Sequence, residues 1–159
     1  MLTKPIHRKH SVSERESDDF TIKCITANDF TKGIDSFISE NMRGAICVER
    51  EDMLTGYLDI APYGFSFFLK LLLNEIYGSG LVKLSIYSTD KKLYMKADFG
   101  NILLPERIIS VAERSGFSIV RSDFGLIELS AGIRFFDNMS IYAIDAKEFG
   151  RYLVEIFFM

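Results

Sequence analysis

The chain has 159 residues, 48% of them apolar, which is enough for one globular domain with a proper core and gives no reason to expect two domains. Nineteen basic residues against 22 acidic ones give a net charge of −3, and no basic stripe interleaved with aromatics follows the N-terminal tail, so nucleic acid is not an expected partner. No apolar run approaches the roughly 20 residues of a membrane helix, and the charged N-terminus lacks the apolar core of a signal peptide. We therefore expect a soluble, cytoplasmic protein that has no membrane partner.

The first 19 residues are highly charged and are interpreted as a flexible polar tail, followed by a single α+β domain over residues 20–159. Two histidines of the tail, His7 and His10, lack carboxylate or thiol partners, so we expect no chemical role for them. The cysteines, Cys24 and Cys47, lie in strand-like apolar segments without CxxC spacing. They are predicted to be buried free thiols, with neither a zinc site nor a disulfide.

Residues 20–25 alternate apolar and polar side chains and predict a half-buried strand. Asn28 or Asp29 is the expected cap of a helix that runs to about Asn41. The apolar positions of this helix recur at i, i+4, i+7 and i+8 and form one stripe: Phe30, Ile34, Phe37 and Ile38. Residues 45–48 then predict a short strand.

The strongest helix signal covers residues 65–77, with Pro62 near its start and Gly78 after its end. The segment is apolar nearly all round, so the helix must be buried on more than one side. Two alternating segments follow, residues 81–87 and 93–98, and predict an antiparallel hairpin.

Pro105 is expected at the first position of a further helix that ends before Gly116, and residues 117–120 are predicted to be extended. The pattern does not decide the secondary structure of residues 121–136. Gly125 either turns a hairpin into a strand over residues 126–129 or opens a short helix.

The chain is predicted to finish with a second hairpin, formed by strands over residues 139–144 and 152–158. The last segment is rich in aromatic side chains, which favour strands.

The order of these elements resembles the histidine-kinase-like ATPase (Bergerat or GHKL) domain, over about residues 44–158. The resemblance is carried by four short segments: Leu58-Asp59-Ile60, the apolar helix that ends in Leu73-Asn74-Glu75-Ile76, Ala97-Asp98-Phe99-Gly100, and Phe124-Gly125-Leu126. It implies an α+β two-layer sandwich, with a mixed, mostly antiparallel sheet and helices on one face.

The resemblance also implies a site for ATP or ADP with Mg²⁺. Asn74 matches the family's asparagine that binds the magnesium ion, and one amide is enough for an ion that keeps most of its waters. Asp98 and Gly100 match the family's adenine-binding Asp-x-Gly, and Gly125 matches a glycine of its phosphate loop, where backbone amides surround the phosphates.

Three departures from the family pattern weaken that site. Ile102 replaces the second adenine-loop glycine, and Asp123 brings a negative charge toward the phosphates. Lys70 stands where ATP-hydrolysing members carry the glutamate that activates water, and an ammonium cannot take that proton at neutral pH. No phosphoacceptor segment of the His-Glu-Leu-Arg type exists in the chain. We therefore expect no catalytic residues and weak or lost nucleotide binding.

The resulting hypothesis is a regulatory or protein-interaction module, with the helix around residues 30–38 contacting a protein partner or a second copy. Ordinary structural roles stay open for each matched residue: backbone bonding for Asn74, a strand-to-turn transition for Asp98 and Gly100, and a hairpin turn for Gly125. Lys70 would then extend to solvent. The alternative is an α+β binding domain of unrelated fold, which a hairpin over residues 117–129 would favour.

Overall fold

The computed structural model describes residues 20–42, 46–51, 54–76, 82–89, 91–98, 104–121, 126–135 and 143–159. Its elements in chain order are β1 (Lys23–Thr26), α1 (Ala27–Asn41), β2 (Ile46–Arg50), β3 (Tyr57–Ile60), α2 (Pro62–Ile76), β4 (Val82–Ser88), β5 (Lys92–Asp98), α3 (Glu106–Arg114), β6 (Ser118–Arg121), β7 (Leu126–Gly132) and α4 (Ala146–Phe157).

The strands form two sheets. A small one pairs β1 with β3, and the main five-stranded sheet has the order β2-β4-β5-β7-β6. Strand β2 runs parallel to β4, while β4–β5, β5–β7 and β6–β7 are antiparallel. The apolar side chains on one face of the three central strands are buried: Leu84, Ile86, Leu93, Met95, Ala97, Ile127, Leu129 and Ala131. The prediction of a mixed, mostly antiparallel sheet covered on one face is confirmed.

The core between sheet and helices centres on four phenylalanines from three helices and the segment after α3. Phe30 of α1 stacks on Phe149 of α4 at 5.3 Å between ring centroids and meets Phe65 of α2 edge-on at 5.0 Å. Phe117 lies 5.2 Å from Phe65 and 5.9 Å from Phe30. Aromatic pairs at these separations add attraction to the burial of their surface. This cluster holds α1, α2 and α4 together as one layer.

The last element corrects the sequence prediction, because residues 146–157 form helix α4, where a turn followed by a strand over residues 152–158 was predicted. Asp145 caps the helix by accepting the backbone N–H of Glu148 at 2.8 Å. The buried positions follow the helical period: Phe149, Tyr152, Leu153 and Ile156. The cap and this stripe outweigh the strand preference of the aromatic residues. Of the other predicted strand, residues 139–142 lie outside the described part, and Ile144 makes an isolated parallel bridge with Ile25.

Smaller differences concern caps and one thiol. Thr26, rather than Asn28 or Asp29, caps α1 by accepting the N–H of Asp29 at 3.0 Å. Pro105 occupies the N-cap of α3 with extended backbone, so it precedes the first helical position. Cys24 is buried as predicted, whereas Cys47 is exposed on the edge strand β2. The β6–β7 hairpin settles the ambiguous segment in favour of a strand pair.

Two glycines on facing helices differ in what surrounds them. A Cβ on Gly33 of α1 would lie 2.6 Å from Cδ2 of Phe149, a ring that is fully buried and cannot withdraw. A Cβ on Gly150 of α4 would have no atom within 4 Å. The close packing of α1 on α4 therefore requires glycine at position 33, and nothing within the described residues requires it at position 150.

The two glycines predict opposite effects of the same substitution. Gly33→Ala should lower the free energy of unfolding by about 1–3 kcal/mol, because the methyl group overpacks the contact with Phe149. Gly150→Ala should raise it by about 0.5–1 kcal/mol through helix propensity alone. Urea denaturation of both variants checks this; equal shifts would contradict the assigned packing.

Candidate functional site

Two of the residues singled out in the sequence, Asn74 and Asp98, lie in described elements. Asn74 lies in the last turn of α2, and β4 begins at Val82, six residues after the end of that helix. The strand register pairs Asp98 with Lys83 on one side and with Leu126 on the other. Gly100, Gly125, Ile102 and Asp123 lie outside the described residues.

Asn74 and Asp98 lie in different layers of the fold. Asn74 is exposed on the helix layer. Along β5 the buried side chains are Leu93, Met95 and Ala97, so the alternation puts exposed Asp98 with Tyr94 and Lys96 on the face of the sheet that the helices do not cover. The structure thus does not turn the Asp98 carboxylate toward α2.

Lys70 contributes to the packing of α4. Its Nζ donates a hydrogen bond to the backbone carbonyl of Ile156 at 3.1 Å, in the last turn of that helix. Carbonyls at a helix C-terminus have no intrahelical partner and carry partial negative charge, so a cation stabilises them. The expectation that Lys70 simply extends to solvent is wrong: the position that the resemblance gives to a general base holds an ammonium bonded to α4.

The connection between β5 and α3 is short and held in place at its far end. Seven residues, 99–105, separate Asp98 from Glu106. Arg121 of β6 donates from Nη1 to the carbonyl of Leu104 at 2.9 Å and from Nη2 to Glu106 at 2.7 Å. Glu106 also places a carboxylate in the first turn of α3. The start of this helix therefore already carries its own anion.

An exposed ion pair, which sequence reasoning missed, joins the small sheet to the residues after β7. Arg134 donates from Nε and Nη2 to the two carboxylate oxygens of Asp59 at 2.9 and 2.8 Å, and Nη2 also lies 3.3 Å from Sγ of Cys24. Its backbone exchanges two hydrogen bonds with Tyr57. The hydrogen bond from Arg134 holds the pKa of the Asp59 carboxyl below its usual value of 3.8, against the opposing effect of burial.

A groove of about 700 Å³ lies elsewhere, between α1 and α4. Its lining combines small, apolar and charged residues: Gly33, Ser36, Phe37, Glu40, Asp145, Ala146, Lys147, Glu148, Gly150, Arg151 and Val154. Neither Asn74 nor Asp98 lines it. Phe37 of the stripe predicted on α1 lines this groove, but the opposite wall was missed because a turn and a strand were predicted where α4 lies.

No group of three His, Cys, Asp or Glu side chains that would hold a metal occurs among the residues that the structure describes. For Mg²⁺, the described part of the predicted site therefore offers the single amide of Asn74. No helix in the same described ranges is long and apolar enough to cross a membrane.

No protein-family model and no curated protein sequence matches the chain. Solved structures do: the catalytic domain of the histidine kinase ThkA, in two nucleotide-free forms, matches with TM-scores of 0.50 at 13% and 12% identity. These matches cover 71% of this chain and 96% and 98% of the ThkA chains. The histidine kinase domain of the E. coli osmosensor EnvZ gives 0.49 at 9% identity, covering 73% of this chain and 90% of its own.

The ThkA matches show that the chain has the histidine-kinase-like ATPase fold. The predicted fold is confirmed, and the alternative of an unrelated fold is wrong. At this identity the likeness establishes the fold alone.

Removing the Lys70 ammonium should destabilise the protein. Lys70→Met keeps the length of the side chain but leaves the Ile156 carbonyl without its donor, so the free energy of unfolding should fall by about 1 kcal/mol. The matched control is Lys83→Met, which removes an exposed pair with Glu49 and should cost no more than about 0.5 kcal/mol. Equal urea midpoints for wild type and Lys70→Met would contradict the role given to Lys70.

The Arg134–Asp59 pair predicts an acid-dependent contribution to stability. Because the folded-state pKa of Asp59 lies below the unfolded value, the contribution is present at pH above about 3.9 and is lost as the pH falls through the folded pKa. Asp59→Asn should therefore be less stable than wild type at pH 5–7, and the difference should shrink below about pH 4. Urea midpoints across pH 3–7 measure it, and a difference that stays constant down to pH 3 would contradict the assignment.

Proposed function

We propose that this chain is a cytoplasmic regulatory or protein-interaction module built on the histidine-kinase-like ATPase fold, without catalysis and with at most weak binding of adenine nucleotide. The observation that carries the proposal is the bond from Lys70 to the Ile156 carbonyl. The position that the resemblance assigns to the water-activating glutamate holds a cation, and that cation stabilises α4. Replacing it by a carboxylate would set two negative groups against each other at the end of that helix.

Loss of tight nucleotide binding is supported at the other predicted contacts. Asp98 shares a sheet face with Tyr94 and Lys96, away from the helix layer, so its carboxylate is badly placed for a base held against α2. The seven residues between β5 and α3 are few for a loop that closes over ATP. Glu106 would repel a polyphosphate approaching the start of α3.

The other predicted contacts are compatible with weak binding of a nucleotide. Asn74 is exposed in the last turn of α2 and is available to a hydrated Mg²⁺ carried by ATP or ADP. We assign Gly100 and Gly125, which neighbour Asp98 and Leu126 along the chain, to the backbone near the same ligand. In this proposal the nucleotide, where it binds, changes the stability of the module and is not turned over.

The test is the thermal midpoint with millimolar Mg-ATP, Mg-ADP and Mg-GTP, together with an assay of phosphate release. Weak binding, with a dissociation constant near the ligand concentration, adds about 0.4 kcal/mol of stability and shifts the midpoint by roughly 1–2 °C. Asn74→Ala should abolish the shift, whereas the matched control Glu75→Ala, an exposed neighbour on the same helix, should keep it.

Two outcomes would contradict the proposal. Phosphate release that depends on the protein would show an active enzyme. A stabilisation near 2.7 kcal/mol, as expected when the ligand is present at about 100 times its dissociation constant, would show an intact nucleotide site.

A further inference from the structure

The groove between α1 and α4 has an apolar floor and open, charged edges. Phe37 of α1 forms part of the floor and is buried, while Val154 of α4 is 44% exposed at its side. From Ala146 to Val154 the α4 wall is nine residues long, and the eight steps between them span about 12 Å at the rise of an α-helix. This is the length of two helical turns, and none of the residues assigned to the nucleotide lines it.

Gly150, in the middle of the α4 wall, has no explanation within the described structure. Glycine weakens a helix interior, and no atom lies within 4 Å of the position that its Cβ would occupy. On the facing helix, by contrast, Gly33 is required by the ring of Phe149. A glycine that weakens a helix interior without improving the packing inside the protein indicates a function at that position. A side chain at position 150 would project into the groove, so glycine keeps the groove open.

The α1 edge carries an acidic residue, whereas the α4 edge carries charges of both signs. Lys147 and Arg151 stand one turn apart on α4, and Glu40 stands on the α1 edge. Asp145 and Glu148 also line the groove, but Asp145 caps α4 by accepting the N–H of Glu148 at 2.8 Å, and Glu148 contacts Arg151. Within the described residues neither Lys147 nor Glu40 has an ion-pair partner, and Arg151 has only a loose contact with Glu148 at 3.7 Å. These groups are free to pair with charges brought by a ligand.

We propose that this groove binds an amphipathic α-helix of a protein partner, an inference that rests on the proposed function as an interaction module. The partner helix places apolar side chains at i, i+4 and i+7 on the floor, acidic residues one turn apart beside Lys147 and Arg151, and a basic residue beside Glu40. Gly150 lets its backbone approach α4 closely.

Other occupants fit the groove less well. A small-molecule site holds its ligand with a few converging buried polar groups, and no buried side-chain polar atom among the described residues lacks a partner. A second copy docked symmetrically on α4 would bring Lys147 and Arg151 of both chains to the same seam, where they repel.

The probe is a displayed library of 18-residue peptides with a fixed helical pattern of leucine and alanine and randomised flanking positions, selected against the full chain. The expected consensus has acidic residues one turn apart on one flank and a basic residue on the other. A synthetic peptide of that sequence should bind at least tenfold more weakly to Gly150→Leu, whose side chain fills the groove. Gly132→Leu is the matched control, because position 132 is equally open but lies on β7.

A charge exchange tests the assigned edge. The double variant Lys147→Glu, Arg151→Glu should lose binding of the acidic-flanked peptide and should bind a peptide in which those acids are replaced by lysine. Binding of the acidic-flanked peptide that is unchanged by the double substitution, or that survives Gly150→Leu, would overturn the groove as the docking site. It would not contradict the proposed function as an interaction module.

Other outcomes of these experiments would also overturn the proposal. No selected peptide at all would overturn helix docking. If that result came with phosphate release or a tight nucleotide shift, the proposed function would fail as well. A wild-type dimer in light scattering that Gly150→Leu converts to a monomer would assign the groove to a second copy and overturn the separate partner.

Discussion

The contact between Gly33 and the ring of Phe149 is the constraint on which the helix layer depends. Phe149 is fully buried, stacks on Phe30, and approaches α1 at a point where even a methyl group would not fit. Because interiors are close-packed, this contact fixes how closely α4 approaches α1. With α4 in that position, its last carbonyls come within reach of Lys70 on α2, and the unfilled space on its outer side becomes the groove.

A consistent pattern emerges at the positions where the resemblance implies chemistry. Lys70, at the position where the resemblance implies a water-activating glutamate, makes a contact that holds α4, and Glu106 pairs with Arg121 at the start of α3. Fold and function are separable in this way, because a fold supplies positions and the side chains at those positions supply the chemistry. The chain has the two-layer architecture, and among the residues that line the groove Lys147 and Glu40 have no ion-pair partner within the described part of the chain.

Much of the fold could be predicted from periodicity. The stripes of α1 and α2 and the alternation of β4 and β5 are local and strong, and so their types were right. Helix α4 was missed because Tyr152, Phe157 and Phe158 favour strands individually, although the Asp145-to-Glu148 cap could have revealed the helix. The face of Asp98 was also present in the sequence, in the phase of Leu93, Met95 and Ala97. The Arg134–Asp59 pair and the groove could not be predicted, because their members meet only through tertiary packing.

The distance along the chain between Gly33 and Phe149 has a consequence for how the protein is made. Position 149 leaves the ribosome 116 residues after position 33, which at 5–20 residues per second is a delay of roughly 6–23 s. During that time the buried stripe of α1, with Phe30, Ile34 and Phe37, has no α4 to cover it. The nascent chain therefore passes through a prolonged stage with an uncovered apolar helix, which is the kind of surface that chaperones bind and that promotes aggregation during synthesis.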